Sequence, residues 1–85
     1  MEMMSVTTSH DEVMYKIMMC ESGGNPKAKN PKSSAKGLYQ IIDGTWKDFQ
    51  CQGDPLNAED NKRCAEKIAR DGLHHWNASA YCWKK

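Results

Sequence analysis

A glutamate at the end of an apolar helix face is the residue of this sequence best suited to chemistry. The apolar side chains of that face recur at helical spacing as Val13, Met14, Ile17 and Met18. Glu21 lies four residues after Ile17 and therefore continues the same face. A carboxyl group there is partly withdrawn from water, which raises its pKa and favours the protonated form that a general acid needs. A solvent-facing glutamate at a frayed helix end is the alternative, and spacing alone favours neither.

The helix that positions this glutamate has recognisable start and stop signals. Ser9 and Glu12 have the spacing of a capping box, and Gly23-Gly24 stops the helical pattern. The sequence therefore predicts a helix over residues 10–22, with Glu21 in its last turn.

A long polar segment follows the helix and gives a substrate room to approach. Residues 23–36 form a loop of a length that is often functional. The apolar run 37–42 is either a strand or the start of a helix, because periodicity does not distinguish the two in so short a run. A short helix over residues 46–50 comes next, with Thr45 or Asp43 as its N-cap.

The second half of the chain supplies the remaining helical elements. Asn57 is a suitable N-cap for a third helix that runs to about residue 71, and Gly72 ends it. The tail over residues 73–83 is too apolar to remain in solvent. We expect it to pack against the first helix.

Composition limits the architecture to one small domain. The chain has 85 residues, of which 39% are hydrophobic and 27% charged, with a net charge of +1. This composition is globular, lacks a membrane span and lacks the basic excess of a nucleic-acid-binding protein. We expect a mainly α domain over residues 9–85 that follows a flexible leader over residues 1–8, which carries no signal-peptide pattern.

Four cysteines in so short a chain indicate crosslinking. An even count points to two disulfides formed in an oxidising compartment, and four cysteines allow three connectivities. A zinc site is the competing interpretation, with ligands drawn from Cys64, Cys82, His74 and His75. The usual zinc-ligand spacings are absent, so we expect no metal and no cofactor. The histidine pair is more simply placed at the surface or along a groove.

Three segments in order resemble a known family. These are Glu21-Ser22-Gly23-Gly24-Asn25-Pro26, then Ser34-Ala35-Lys36-Gly37-Leu38-Tyr39-Gln40-Ile41, then Thr45-Trp46. They resemble the lysozyme-like soluble lytic transglycosylase (SLT) domain family. Cys20 to Asn25 is also similar to the catalytic opening of resuscitation-promoting factors. The resemblance covers residues 13 to about 50 well and residues 51–85 loosely, and it implies a minimal lysozyme-like fold.

The resemblance implies roles for several side chains. Glu21 would be the catalytic acid that afterwards acts as a base. Gln40 would line the sugar groove beside it, and Ser34 and Tyr39 would flank the scissile bond. Tyr39 and Trp46 would stack on or wall the sugars.

The resemblance also bears on the tail and on the cysteines. The family's third motif is Ala-Tyr-Asn, whose tyrosine bonds the catalytic glutamate. Here Ala80-Tyr81 is followed by cysteine, so Tyr81 is either that partner or a packed aromatic residue. Similarity to resuscitation-promoting factors implies the pair Cys20–Cys82, which leaves Cys51–Cys64 as the second pair.

The activity implied is cleavage of the β-1,4 bond between N-acetylmuramic acid and N-acetylglucosamine in peptidoglycan. Most glycosidases need a second carboxylate, and the nearest candidates are Asp43 and Asp48. Asp43 reads more simply as a turn or cap residue, and Asp48 as part of a solvated face. Lack of an obvious partner fits a lytic transglycosylase, in which one glutamate suffices, although a lysozyme remains an alternative.

The expected surroundings follow from this activity. The partner would be peptidoglycan glycan strands, with no nucleic acid and no membrane span, and we expect a monomer. The protein would be secreted, periplasmic or associated with the cell wall. The alternative from another class is a disulfide-stapled module that binds glycan or protein without cutting it.

Overall fold

The structure, a computed structural model, describes the backbone of residues 2–84 and the side chains of residues 11–84. Within this range the chain is mainly helical and forms no β-strand, which confirms the predicted class. The elements are α1 (Glu2–Ser22), α2 (Asp43–Asp48), α3 (Ala58–Asp71), a 3₁₀ helix (Leu73–Ser79) and α4 (Ala80–Trp83). None of the helices in the described range is long and apolar enough to cross a membrane.

Helix α1 begins earlier than the sequence predicts. It starts at Glu2 instead of residue 10, so the proposed capping box at Ser9 and Glu12 does not mark a helix start. No glycine or proline occurs between Glu2 and Ser22, and helix propagation therefore meets no strong breaker. Met1 lies outside the described residues, and the assignment of residues 1–8 as a leader stays a prediction.

The end of α1 agrees with the prediction. Gly23 has a left-handed φ of +65°, and its N–H donates to the Met19 carbonyl at 2.9 Å. This is the geometry in which glycine commonly terminates a helix. Glu21 consequently lies in the last turn, next to the loop.

The core is formed between α1, α3 and the tail. Ile17 of α1 and Ile68 of α3 are fully buried, and the two tryptophans of the tail, Trp76 and Trp83, cover them. The tail therefore packs against α1 as expected, which the contacts of α1 with the 3₁₀ helix and α4 confirm. The buried cluster comprises Met14, Ile17, Leu38, Tyr39, Ile41, Cys64, Ala65, Ile68, Trp76 and Trp83.

The apolar run that the sequence left undecided is neither a strand nor a helix. It is a four-residue turn, closed by paired backbone bonds between Lys36 and Ile41 of 3.1 and 3.3 Å. Gly37 and Gln40 both have positive φ, of 84° and 50°, which lets the chain reverse. A Cβ on Gly37 would lie 2.2 Å from the side chain of Asn61, so only glycine fits there.

The side chain of Asn61, in α3, holds this turn in place through hydrogen bonds. Its side chain is 0% exposed and makes three hydrogen bonds with backbone groups. Its Oδ1 accepts from the Tyr39 N–H at 2.8 Å, and its Nδ2 donates to the carbonyls of Lys36 and Pro55 at 3.1 and 2.9 Å. Burial of this amide costs little because its polar atoms are hydrogen-bonded, whereas its loss would leave the Tyr39 N–H and the Pro55 carbonyl unpaired.

Helix α2 begins three residues before its predicted start at Trp46. The N-cap position is Ile42, whose side chain cannot cap, so the prediction of Thr45 or Asp43 as the cap is wrong. The cap comes from outside the helix, because the Asp43 N–H donates to the hydroxyl of Ser34 at 2.9 Å. The Ser34 hydroxyl thus accepts from a backbone N–H in the first turn of α2 that has no partner within the helix.

The second half follows the prediction closely. Asn57 caps α3 by accepting from the Asp60 N–H at 2.9 Å, and Gly72 ends the helix. Two disulfides close the fold, Cys20–Cys82 and Cys51–Cys64, and the pairing implied by the resemblance is confirmed.

Candidate active site

Glu21 is half-buried at the C-terminal end of α1. Burial withdraws its carboxylate from water and raises its pKa, and a hydrogen bond from Ser79 offsets part of this effect. The sequence prediction of a desolvated carboxyl group with a raised pKa is thus confirmed. A carboxyl group of this kind can hold a proton at a higher pH than an exposed glutamate.

The partner of Glu21 is a serine 58 residues further along the chain. The Ser79 hydroxyl lies 2.6 Å from Glu21 Oε2, a short distance typical of a bond to a charged acceptor. Trp83 Nε1 donates to the same hydroxyl at 3.1 Å. The Ser79 oxygen accepts from the indole, so the hydroxyl proton of Ser79 is left to donate. Its possible acceptors are Glu21 and, at 3.2 Å, the Trp76 carbonyl.

This serine binds only one of the two carboxylate oxygens. Among the described side chains, no other group hydrogen-bonds to Glu21. Oε1 therefore has no competing donor among the described residues, which leaves it open to a ligand. Ser79 orients the carboxyl group without using both of its oxygens.

A covalent link holds the two sides of this arrangement together. Cys20, which precedes Glu21, is bonded to Cys82 of α4, three residues beyond Ser79. The crosslink joins α1 to α4, and the Glu21–Ser79 bond joins α1 to the end of the 3₁₀ helix, so the end of α1 and the tail are kept in register.

Tyr81 does not occupy the position that the third family motif suggests. Its side chain is 80% exposed, so it is neither packed nor bonded to Glu21. The Ser79 hydroxyl takes the contact with the glutamate instead. Sequence reasoning missed Ser79, and the pattern Asn77-Ala78-Ser79 gives no sign of a bond to a residue near the start of the chain.

Tyr39 is a core residue in this structure. It is 2% exposed, and its ring meets Trp76 edge to face with centroids 6.2 Å apart. Burial, reinforced by the charge of Glu66, raises the pKa of its phenol. Its backbone carbonyl also accepts from Trp76 Nε1 at 3.0 Å. The side chain therefore supports the site from within more than it offers a surface to a sugar.

Gln40 and Ser34 are engaged in bonds to the backbone. Gln40 Nε2 donates to the carbonyls of Ala28 and Gly37 at 3.2 and 2.9 Å, and Ser34 caps α2. The expected hydrogen-bond partners of the Gln40 amide thus exist, and they belong to the protein. Only the oxygen of that amide remains for a ligand.

A small cleft opens beside this turn, which we call the Gln40 cleft. Its volume is about 120 Å³, and Glu21 is not among the residues that line it. Trp76 lines this cleft, and its backbone carbonyl lies 3.2 Å from the hydroxyl of Ser79, the residue that bonds Glu21. Trp46 is half-buried against the core, and its neighbour Thr45 reaches the cleft in its place. The lining consists of Gln40, Ile41, Ile42, Thr45, Ile68, His75 and Trp76.

The two aspartates considered as second carboxylates lie elsewhere. Asp43 is exposed, pairs with Lys36 Nζ at 3.0 Å and is the first residue of α2, so its interpretation as a cap is wrong. Asp48 is exposed at the end of α2. Neither contacts the Glu21 side chain, so the glutamate has no carboxylate partner among the described residues.

The zinc site drawn from cysteines is wrong. Cys64 and Cys82 are both oxidised in disulfides, and the described chain has no free cysteine. A disulfide sulfur lacks the thiolate charge that zinc requires.

Comparison with known proteins finds one family. No curated protein and no solved structure matches this chain significantly. The profile described as the transglycosylase SLT domain matches residues 2–81, which is nearly the whole chain. The chain therefore belongs to the transglycosylase SLT domain family.

Proposed function

We propose that this protein cleaves the β-1,4 bond between N-acetylmuramic acid and N-acetylglucosamine with Glu21 as its single acid and base. Family membership gives lytic transglycosylase-type activity on peptidoglycan in general terms. The observation that carries the finer proposal is the half-buried carboxyl group of Glu21, with its raised pKa and its one bond from Ser79.

The chemistry begins with the protonated form of Glu21. The carboxylic acid donates its proton to the glycosidic oxygen, and the bond to the anomeric carbon breaks. The carboxylate then accepts the proton of the muramic acid C6 hydroxyl as that oxygen attacks the anomeric carbon, which gives a 1,6-anhydro end. One carboxyl group can serve both steps, because donation of its proton in the first step leaves it as the carboxylate that accepts a proton in the second.

Ser79 fits this sequence as a positioning residue. Its bond to Oε2 strengthens when the carboxylate carries charge, because hydrogen bonds to ionised acceptors are the stronger ones. Ser79 therefore favours release of the proton in the first step. Burial acts in the opposite direction and favours the protonated form at the start.

The Gln40 cleft supports recognition of an N-acetyl group. At about 120 Å³ it is smaller than pockets that hold whole ligands, which span about 300–1,000 Å³. Ile41, Ile68 and Trp76 offer an apolar wall to a methyl group, while Gln40 and Thr45 offer polar atoms to an amide. The rest of each sugar would lie along the surface.

The lack of a carboxylate partner for Glu21 among the side chains that the structure describes supports a transglycosylase over a lysozyme. A hydrolase must activate water with a second group, whereas the intramolecular attack uses the substrate's own hydroxyl. The nearest candidates, Asp43 and Asp48, make no contact with Glu21.

The decisive experiment is a digest of purified peptidoglycan, with the products weighed by mass spectrometry. The proposal expects fragments that end in 1,6-anhydro-muramic acid. Products one water heavier, with reducing ends, would show hydrolysis and overturn the single-residue mechanism. Binding to the wall without any product would instead support the non-catalytic binding module.

A pair of variants assigns the catalytic residue. Glu21→Gln should lower the rate by about 10²–10⁴-fold, the usual contribution of a general acid. Glu12→Gln is the matched control, because Glu12 lies exposed on the same helix. Equal activity of the two variants would remove Glu21 from the mechanism. Circular dichroism and a thiol count on each variant show that the fold and both disulfides remain.

We also propose that the protein works outside the cytoplasm as a monomer on glycan strands. The two disulfides support this location, because such bonds persist in oxidising compartments. The substrate of the family, the cell wall, lies in the same place.

A further inference from the structure

Three metal-ligating side chains meet where α3 passes into the 3₁₀ helix. Asp71 is the last residue of α3, and His74 and His75 lie in the first turn of the 3₁₀ helix. His75 Nε2 is 2.8 Å from Asp71 Oδ2, and His74 Nε2 is 3.8 Å from the same oxygen. One ligand atom from each of the three residues falls within 4.8 Å of the others.

The backbone at this junction brings the side chains together. Gly72 has a φ of +146°, which turns the chain sharply between the helices. A Cβ on Gly72 would lie 2.5 Å from His74 Nδ1, so the imidazole occupies space that a side chain would fill. The absence of that Cβ allows His74 to fold back toward Asp71.

His75 is held in place by its neighbours. Its side chain is 26% exposed, and its ring meets Phe49 edge to face with centroids 5.4 Å apart. The remaining ring face lies 4.3 Å from the His74 ring, centroid to centroid. These contacts fix the ring and direct Nε2 toward Asp71, so one ligand is already oriented.

A simple histidine–carboxylate pair explains His75 but not His74. His75 Nε2 lies within hydrogen-bond distance of Asp71 Oδ2, whereas His74 Nε2 lies 3.8 Å from the same oxygen, too far for a hydrogen bond. Within the described residues Asp71 has no lysine or arginine partner. An ion between the three groups would use all of them.

We propose that Asp71, His74 and His75 form a binding site for a divalent transition-metal ion, with zinc as the expected occupant. Two imidazole nitrogens and a carboxylate oxygen are donors that zinc favours. Zinc bonds to such atoms at about 2.0–2.2 Å in tetrahedral geometry, so any two of its ligand atoms lie about 3.4 Å apart. Small rotations of the two exposed side chains, Asp71 and His74, bring the atoms to that spacing. Water would complete the coordination.

This site lies at the rim of the Gln40 cleft. His75 belongs to both, because its ring lines the cleft while its Nε2 faces Asp71. A bound ion would hold that ring on the side of the cleft nearest to α3. It would also tie the end of α3 to the 3₁₀ helix that carries Ser79.

The test is titration of the tag-free protein with zinc chloride, followed by calorimetry and by ¹⁵N-NMR of the histidine rings. We expect one zinc per chain, shifts in the ring nitrogens of His74 and His75, and a higher melting temperature with zinc. The substitutions His74→Ala, His75→Ala and Asp71→Asn should each weaken binding by at least about tenfold.

Glu59→Gln is the matched control, since Glu59 is an acidic residue in the first turn of the same helix. It should bind zinc like the unaltered protein. His10 stays in every variant and provides a constant background. Zinc that moves only the His10 signals, or that binds His74→Ala and His75→Ala as tightly as the unaltered protein, would overturn the proposal. None of these measurements uses catalytic activity, so they stand whatever the outcome of the peptidoglycan digest.

Discussion

The end of α1 and the turn over residues 36–41 both carry residues of the family motifs, but the two regions use them differently. At the end of α1, Ser79 bonds one carboxylate oxygen of Glu21, and the other oxygen has no hydrogen-bond partner among the described side chains. In the turn, the amide nitrogen of the motif residue Gln40 donates both of its hydrogen bonds to backbone carbonyls.

The two regions also differ in how they are held. A disulfide and the Glu21–Ser79 hydrogen bond join the end of α1 to the tail. The turn has no covalent link, and hydrogen bonds from Asn61, Gln40 and Trp76 hold it. The turn therefore forms part of the wall of the Gln40 cleft, whereas the end of α1 carries the carboxyl group of Glu21.

The largest expected effect concerns the crosslink. Cys20→Ser with Cys82→Ser should lower the free energy of unfolding by about 4 kcal/mol, because the disulfide spans 62 residues. Removal of Cys51–Cys64, which spans 13 residues, should cost about 3 kcal/mol. Urea unfolding at low temperature measures both.

A measurement of activity tests whether the crosslink also positions Glu21, because of the two disulfides only Cys20–Cys82 adjoins that residue. At a temperature where both double variants remain folded, the Cys20/Cys82 variant should lose more peptidoglycan cleavage than the Cys51/Cys64 variant. Equal losses of activity would show that the crosslink stabilises the fold without positioning the glutamate.

The next effect tests the turn. Asn61→Ala should lower the free energy of unfolding by about 3 kcal/mol, because it leaves the Tyr39 N–H and the Pro55 carbonyl without a partner and removes one of the two bonds to the Lys36 carbonyl. Asn77→Ala is the control, since Asn77 is exposed. Thermal or urea unfolding compares the two.

Hydrogen exchange shows where the damage lies. The amides of Gly37 and Ile41, which bond within the turn region, should exchange faster in Asn61→Ala, while amides in the middle of α1 should change little. A uniform increase over the whole chain would contradict a local role for Asn61 in the turn.

The smallest effect concerns Ser79. Ser79→Ala should cost about 1 kcal/mol of stability, because Trp83 Nε1 keeps the Trp76 carbonyl as a second acceptor at 3.1 Å. It also removes the bond that lowers the pKa of Glu21, so that pKa rises further. Cleavage requires protonated Glu21, and the alkaline limb of the rate profile should therefore move to higher pH.

The same shift has a consequence for stability. A carboxyl group whose pKa is raised on folding stabilises the protein most below its unfolded pKa, and that contribution is lost as pH rises through the folded pKa. The stability deficit of Ser79→Ala should therefore be larger at neutral pH than in acid. Ser79→Thr keeps the hydroxyl and should restore the rate profile. A profile that stays unchanged in Ser79→Ala would separate Ser79 from the titration of Glu21.

Local sequence determined the helical elements and the placement of Glu21. Helical spacing in α1 put the glutamate on the buried face, and Asn57 and Gly72 marked the ends of α3. These features depend on residues within a few positions of each other, so the local sequence pattern is enough to predict them. The early start of α1 was missed because a capping pattern is only a local preference, which continued helix formation overrides.

Only the tertiary structure decided which groups the motif residues contact. Ser79 reaches Glu21 across 58 residues, Ser34 caps a helix nine residues away, and Gln40 turns its amide toward the backbone. A hydrogen bond forms with whichever partner lies within about 3 Å, and that partner is set by how the tail and the turn pack on α1 and α3. Residue types and spacing thus provided the acid, while packing provided the serine that orients it.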